Sequence, residues 1–297
     1  MNWQDIEFAE GLNCMRNKDR AKNMRKFYEL IARADAKEKK RVKSQSIEWL
    51  WNKLRKNSLK LLEIEDGNLI LDIGSGKSPL LSILPKFSNI QLVCMDLALT
   101  HLQRMIPIVE KNRNKVGLIV ADAQNLPFKE NICDRILLSE VIEHLPHPES
   151  VIWEIKRILK GKAVITTPNR QNMISSIISV FSSFFRFLRL QKNVEMMSSR
   201  CRERELSKAE KYLVQEGHIH HTKIFSISEL TSLLKLADLQ INNIEGSALD
   251  VYPFAGLLDK HPFIFKIYKL LDAIVDKTHL RRYTWSIVLA CNAKHQK

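Results

Sequence analysis

Nothing in this chain reads as a scaffold held together by crosslinks. Its five cysteines (Cys14, Cys94, Cys133, Cys201 and Cys291) are scattered, and no Cys-x-x-Cys pair occurs. An odd, unpatterned set fits a reducing cytoplasm better than a disulfide framework. Cys94 and Cys291 lie in apolar, strand-like runs, where they read as small packed hydrophobes. Glycine and proline are scarce, nine of each in 297 residues, and no repeat or low-complexity run is present. That argues against a long disordered region or a repeat array. No window holds eighteen uninterrupted apolar residues, so no transmembrane helix is expected. The N-terminal stretch is charged from Asp5 onward and does not read as a signal peptide.

What the chain does have is positive charge, a formal +14. Residues 1–60 hold sixteen Lys/Arg against eight Asp/Glu, and residues 186–211 hold eight against four. Nearly all of the excess therefore sits in two segments. Such segments suit an anionic surface, either acidic lipid or nucleic acid, or simply form a solvated basic face.

Residues 1–60 read as helices, with Phe27, Leu30, Ile31, Trp49, Leu50 and Leu54 at helical spacing among the charges. From residue 68 short apolar runs alternate with helical segments. The expected strands are Leu69–Ile73, Ile90–Met95, Val116–Val120, Arg135–Ser139 and Ala163–Thr167, followed by Gln240–Glu245 and Trp285–Cys291. Alternation of this kind predicts an α/β, Rossmann-like, mostly parallel sheet covered by helices on both faces. Residues 169–222 break the rhythm and read as an insertion. Four parts are expected: a basic helical segment 1–60, a cofactor core 61–168, the insertion 169–222 as substrate or membrane cap, and 223–297 completing the sheet.

The run Leu69-Ile-Leu-Asp-Ile-Gly-Ser-Gly-Lys-Ser-Pro79 is a strand entering a glycine turn. Gly74 and Gly76 allow a sharp bend and close approach to a ligand. A helix is expected from Ser78–Pro79, with Ser78 as cap and Pro79 at the first position. The Gly-Lys-Ser spacing is not that of a P-loop, and the third glycine of the dinucleotide fingerprint is missing. Asp96 ends the second strand, where a carboxylate can accept both hydroxyls of a ribose. Asp122 and Ala123 follow the third strand, where a carboxylate can accept from an adenine amine. Asp134 opens the fourth.

With LDIGSGKSP, Asp96, ADAQNLPF, DRILLSEVIEHL and KRILKGKAVITTPNR in that order, the chain resembles the class I S-adenosylmethionine-dependent methyltransferases across about residues 60–245. The resemblance implies a seven-stranded sheet with an antiparallel last strand. It implies a cofactor set of Asp72, Gly74, Ser75, Gly76, Asp96, Leu97, Asp122, Ala123 and Ser139. Two departures stand out: Ser78 where the family usually has another glycine, and Lys160-Gly161-Lys162 where Lys-Pro-Gly-Gly is common.

Methyl transfer from a sulfonium needs a positioned nucleophile and an acceptor for its proton. If a helix starts after Ser139, then Glu140, Glu143 and His144 share a face at i, i+3 and i+4. A second cluster, Gly217-His218-Ile219-His220-His221, precedes Phe225-Ser226-Ile227-Ser228-Glu229-Leu230, a helix start capped by Ser226 or Ser228. This pattern is similar to two metal-using branches of the family, the ubiquinone-biosynthesis O-methyltransferases and the methylases of terminal RNA ribose. By that resemblance Glu140, Glu143, His144 and His221 (or His220) are Mg2+ ligands. Without a metal, His144 or a histidine of the 218–221 group is the base, with Glu143 beside it. Family members that need no metal also carry Glu-His-Leu here.

Ile174, Ile177, Ile178, Phe181, Phe184, Phe185 and Leu188 form an amphipathic stripe with serines and two arginines opposite. It reads as an interfacial helix on an anionic membrane, or as a helix packed on the core. Ile264, Ile267, Tyr268, Leu271, Ile274 and Val275 form a second stripe, either a wall of an apolar entrance or core. The expectation is thus O-methylation of a hydrophobic or lipid-linked acceptor, a polyprenyl phenol or lipid-carried sugar. The protein is expected in the cytoplasm, peripheral on the inner face of the membrane. An RNA methyltransferase is the alternative, weakened because the basic segments show little of the aromatic interleaving that stacks bases. A non-catalytic cofactor-binding scaffold is the third reading.

Overall fold

The computed structural model describes residues 25–26, 28–30, 32–33, 44–76, 78–82, 86–112, 115–177 and 223–293. The chain's centre is a seven-stranded sheet in the order β3-β2-β1-β4-β5-β7-β6. Its strands are β1 (Leu69–Ile73), β2 (Gln91–Asp96), β3 (Val116–Val120), β4 (Cys133–Ser139), β5 (Leu159–Pro168), β6 (Leu239–Gly246) and β7 (Ser286–Ala293). The first five pair in parallel, and β7 runs antiparallel between β5 and β6. Strands with both faces covered read as unbroken apolar runs, and LILDI and QLVCMD are buried throughout.

The side-chain period of two divides the core. Leu71, Ile73, Val93, Met95, Ile136 and Leu138 pack on one face. Ile70, Leu92, Cys94, Leu137, Val164 and Val288 pack on the other. The second face is covered by α1 (Gln45–Leu62), whose Leu54, Leu61 and Leu62 reach the strands. Ser44 starts that helix by accepting from the Ile47 amide at 3.2 Å. Further helices are α2 (Leu99–Gln103), α3 (Ile106–Glu110), α4 (Pro148–Ile158), α5 (Ile227–Leu236), α6 (Ala255–Lys260) and α7 (Pro262–Val275). Helices α4 and α5 supply Val151, Ile152, Ile155, Leu230 and Leu234 to the first face. Helix α5 begins in a reciprocal capping box between Ser226 and Glu229.

Two local expectations are corrected. Ser78 is no ordinary cap: it sits at φ 27°, and its hydroxyl donates to Asp72 at 2.5 Å. A buried carboxyl needs a donor, and Ser78 is bent back to supply one; among the described residues a 3-10 turn, Pro79–Ser82, follows. No helix starts at Glu140 either. That residue takes φ 55°, and its amide donates to the Thr166 carbonyl at 3.0 Å. Pairing with β5 turns the chain away from helix, leaving a single 3-10 turn at Ile142–His144. Most of the 174–189 stripe, the basic segment after it and the 218–221 histidines lie outside the described residues. Among the described residues no helix is long and apolar enough to cross a membrane.

Candidate functional site

Parallel strands present their carboxyl ends along one edge of the sheet, where the turns of β1, β2, β3 and β4 enclose a cavity of about 240 Å³. Gly74, Gly76, Met95, Asp96, Leu97, Asp122 and Ala123 line its cofactor side. Gly74 (φ 66°) and Gly76 (φ 51°) both take left-handed backbone. A Cβ on Gly74 would lie 2.4 Å from Val141 Cγ2, whereas one on Gly76 would meet nothing within 4 Å. The first glycine is thus required by packing, and the second leaves the floor of the cavity open.

Asp96 ties this turn to the end of β2. Its carboxylate accepts from the Gly76 amide at 2.9 Å and the Ala98 amide at 2.8 Å, with His101 Nδ1 at 3.3 Å. Asp122 accepts from the Gln124 amide at 2.9 Å, which closes the turn after β3. Among the described residues the buried Ser75 hydroxyl has no hydrogen-bond partner, and it sits in the same turn. Backbone bent away by two glycines, acceptors at two strand ends and a donor awaiting a partner fit an adenosyl cofactor. When bound, S-adenosylmethionine supplies an activated methyl group. Asp72, Ser75 and Ser139 stand behind this lining. Asp72 is fully buried, and its carboxyl is pushed up to about 7, first by burial and then by the nearby Asp96 charge, against the Ser78 hydrogen bond. Ser139 shares a 2.9 Å contact with the Thr166 hydroxyl. Asp134, expected only to open β4, accepts from the Leu69 amide at 2.8 Å and links the two strands.

Glu140, Val141, His144 and Leu145 form the far wall of the cavity. Thr166 donates to Glu140 at 3.0 Å, and Thr167 donates to Glu143 at 3.2 Å. Glu143, 1% exposed, lies with Oε1 3.7 Å from His144 Nε2. Burial pushes both carboxyls up, Glu140 to about 7, and the charge on Glu140 pushes Glu143 further. Among the described residues no group of three His, Cys, Asp or Glu side chains is placed to hold a metal. The fourth expected ligand, His221, lies outside the described residues.

Two wall residues carry no sequence signal. Tyr28 comes from the N-terminal helical segment and meets the His144 ring edge-on, centroids 6.3 Å apart. Its neighbour Glu29 accepts from the Thr100 amide at 3.2 Å and from the Thr100 hydroxyl, which holds the segment over α2. Burial raises the Tyr28 phenol, and the charges of Glu143 and Asp96 add to it, so it stays a neutral donor. His101 enters from α2, five residues beyond Asp96. An Asp-x-x-x-x-His spacing at the end of a strand would have been the only hint of it.

Residues 71–166 match the family described as a methyltransferase domain. An uncharacterised protein of Methanocaldococcus jannaschii is 31% identical over 128 residues, 42% of this chain and 51% of its own. Malonyl-[acyl-carrier protein] O-methyltransferase of Marinomonas sp. is 26% identical over 121 residues, 39% of this chain and 43% of its own. The chain thus spans about half the length of these curated relatives. Among solved structures, a Haloferax volcanii methyltransferase in complex with the Trm112 methyltransferase activator shares the fold. Its TM-score is 0.57 at 17% identity, covering 92% of this chain and 98% of that one.

Proposed function

We propose that this chain, whose central part is a class I S-adenosylmethionine-dependent methyltransferase domain, is an enzyme that moves the cofactor's methyl group to an oxygen of a hydrophobic or lipid-linked acceptor at a membrane surface. The observation that carries the reading is the cavity at the strand ends, with Asp96 and Asp122 on one wall and His144 on the other. In this reading Asp96 accepts from the ribose hydroxyls, Asp122 from the adenine amine, and the Gly74–Gly76 turn passes the methionine part. His144 takes the acceptor's proton as the methyl moves. Glu143, with Oε1 3.7 Å from His144 Nε2, stabilises the ring as it gains the proton, and Tyr28 closes the wall beside it, keeping water from the reacting atoms. No metal enters this scheme. One relative is named as an O-methyltransferase of malonyl-[acyl-carrier protein] and another as a sterol 24-C-methyltransferase; the first favours oxygen as the acceptor atom and the second a hydrophobic acceptor. The insertion 169–222 is the proposed acceptor cap.

Calorimetric titration with S-adenosylmethionine tests the reading. Asp96→Ala removes charge-assisted bonds, each on the order of 1.5–3 kcal/mol, so Kd rises about a hundredfold or more. Wild-type chain that binds no cofactor sinks the proposal. A second reading, methylation of RNA, is favoured by the +14 charge. Salt-sensitive RNA binding, together with turnover on RNA and none on lipid extract, would put it first.

A further inference from the structure

Helix α7 is anchored along one side only. Phe265 meets Trp49 edge-on at 5.8 Å, the Tyr268 hydroxyl donates to the Asp250 carbonyl at 2.7 Å, and Asp272 accepts from the Leu249 amide at 2.8 Å. The opposite side is apolar. Phe263, Ile267, Leu270, Leu271 and Ile274 recur at i, i+4, i+7, i+8 and i+11, forming one stripe. Phe263 is 74% exposed, Leu270 62% and Ile274 53%. A helix of a water-soluble surface places polar residues there, and a continuous apolar stripe marks a contact surface.

The charges around the stripe say what it contacts. The two carboxylates of α6 and α7, and Asp276 just past the end of α7, all have partners on the protein. Asp259 accepts from the Ser46 amide at 2.9 Å, Asp272 pairs with Lys53, and Asp276 meets the same lysine at 2.6 Å. The four lysines, Lys260, Lys266, Lys269 and Lys277, face solvent, and among the described residues none pairs with a carboxylate. Lys266 and Lys277, eleven residues apart, border the same edge of the stripe. Fourteen residues make a helix of about 21 Å, too short to cross roughly 30 Å of hydrocarbon. The insertion also departs from this side. Asn172, just ahead of the helical residues 173–177, donates to Asp250 at 2.9 Å, the residue whose carbonyl holds Tyr268. The chain that follows carries Phe181, Phe184, Phe185, Arg186 and Arg189. Laid on α7 it would bring like charges together, whereas an anionic surface satisfies both sets.

We infer that the outward face of α7 is a docking surface for an anionic lipid bilayer, on which the helix lies flat with its apolar stripe among the acyl chains and Lys266 and Lys277 at the headgroups. The inference deepens the membrane part of the proposed function and rests on it only for purpose. Flotation needs neither cofactor nor turnover. Failure here leaves the transferase reading standing, and a chain that floats but binds no S-adenosylmethionine overturns that reading alone.

The test is flotation of the full chain with phosphatidylcholine vesicles, with and without 30% phosphatidylglycerol (a composition of about the anionic content needed for a surface potential). The wild type floats with the anionic vesicles and is released by salt. Leu270→Gln with Ile274→Gln lowers partitioning about a hundredfold, since each buried side chain is worth roughly tenfold or more. Lys266→Gln with Lys277→Gln lowers it roughly thirtyfold. Neither pair changes the melting temperature or the cofactor titration. Wild type that stays with the soluble fraction, or a Leu270/Ile274 variant that floats like wild type, overturns the inference. So does a melting temperature lowered by the same variant, which would mean that the chain itself covers the stripe. A wild-type dimer that this variant converts to monomer, seen by light scattering, assigns the face to a second copy and overturns it too.

Discussion

Alanine at Gly74 and alanine at Gly76 should behave differently, although both glycines are left-handed and only one residue separates them. At each position an L side chain costs about 1–2 kcal/mol of backbone strain. At Gly76 that is the whole effect, because the added Cβ meets nothing within 4 Å. At Gly74 the Cβ would stand 2.4 Å from Val141 Cγ2 and 3.2 Å from Cγ1. Val141 is held by its neighbours, since Glu140 is tied to Thr166 on one side and His144 closes a turn onto the Val141 carbonyl on the other. Overpacking of this kind adds about 1–3 kcal/mol. Gly74→Ala should therefore cost roughly 2–5 kcal/mol in total, against about 1–2 for Gly76→Ala. At roughly 2 °C per kcal/mol for a chain of this size, thermal melts separate the two by several degrees. The decisive measurement is a double-mutant cycle. Val141→Ala should recover about 1–3 kcal/mol in the Gly74→Ala background and nothing in the Gly76→Ala background. Equal melting temperatures for the two alanine variants, or no coupling to Val141, would refute the packing role assigned to Gly74.

Asp72 gives a pH-dependent prediction. Its folded-state pKa of about 7 lies above the unfolded value near 4, so the native state binds the extra proton. Its contribution is full below pH 4 and is lost as pH rises toward 7, about 4 kcal/mol in all. Urea unfolding of wild type and Asp72→Asn should diverge over that window, and parallel pH profiles would disprove the assignment. Tyr28→Phe should leave the melting temperature within about 2 °C but raise KM or lower kcat about fivefold, the worth of one hydrogen bond. Unchanged kinetics would remove the hydroxyl from the site. Thr100→Val, which strips the hydroxyl bonded to Glu29, should loosen the same segment, raising amide exchange at residues 28–33 while the sheet stays protected.

The strands were readable because a parallel strand covered on both faces is an apolar run bounded by polar turns. Leu69–Ile73 and Val116–Val120 have the expected limits, and the others differ at their ends by frayed or polar residues such as Lys160 and Lys162 within β5. Asp96 and Asp122 were readable because each is a carboxylate placed where a strand stops. What could not be read was set by contacts distant in sequence. Apolar Val141 and Ile142 beside Glu143 suggest a helix, but Thr166, twenty-six residues on, claims the Glu140 amide. Ser78 resembles a cap in every local respect, yet a buried carboxyl six residues earlier takes its hydroxyl. Tyr28 belongs to no motif. Its place against His144 follows from how the N-terminal segment settles over α2, which no local spacing encodes.

The position of β7 has a consequence for how the protein is made. It lies between β5 and β6, although both precede it in the chain. Until residues 286–293 leave the ribosome, β6 has no strand to join and β5 offers a bare edge. Seven pairings to β5 and seven to β6 then form at once. Synthesis therefore passes through a stage with two hydrophobic edges open to other chains, long after the cofactor cavity's own strands have paired. Slowing translation just before β7, or a stop codon there, should yield aggregates in which the cofactor core is already folded.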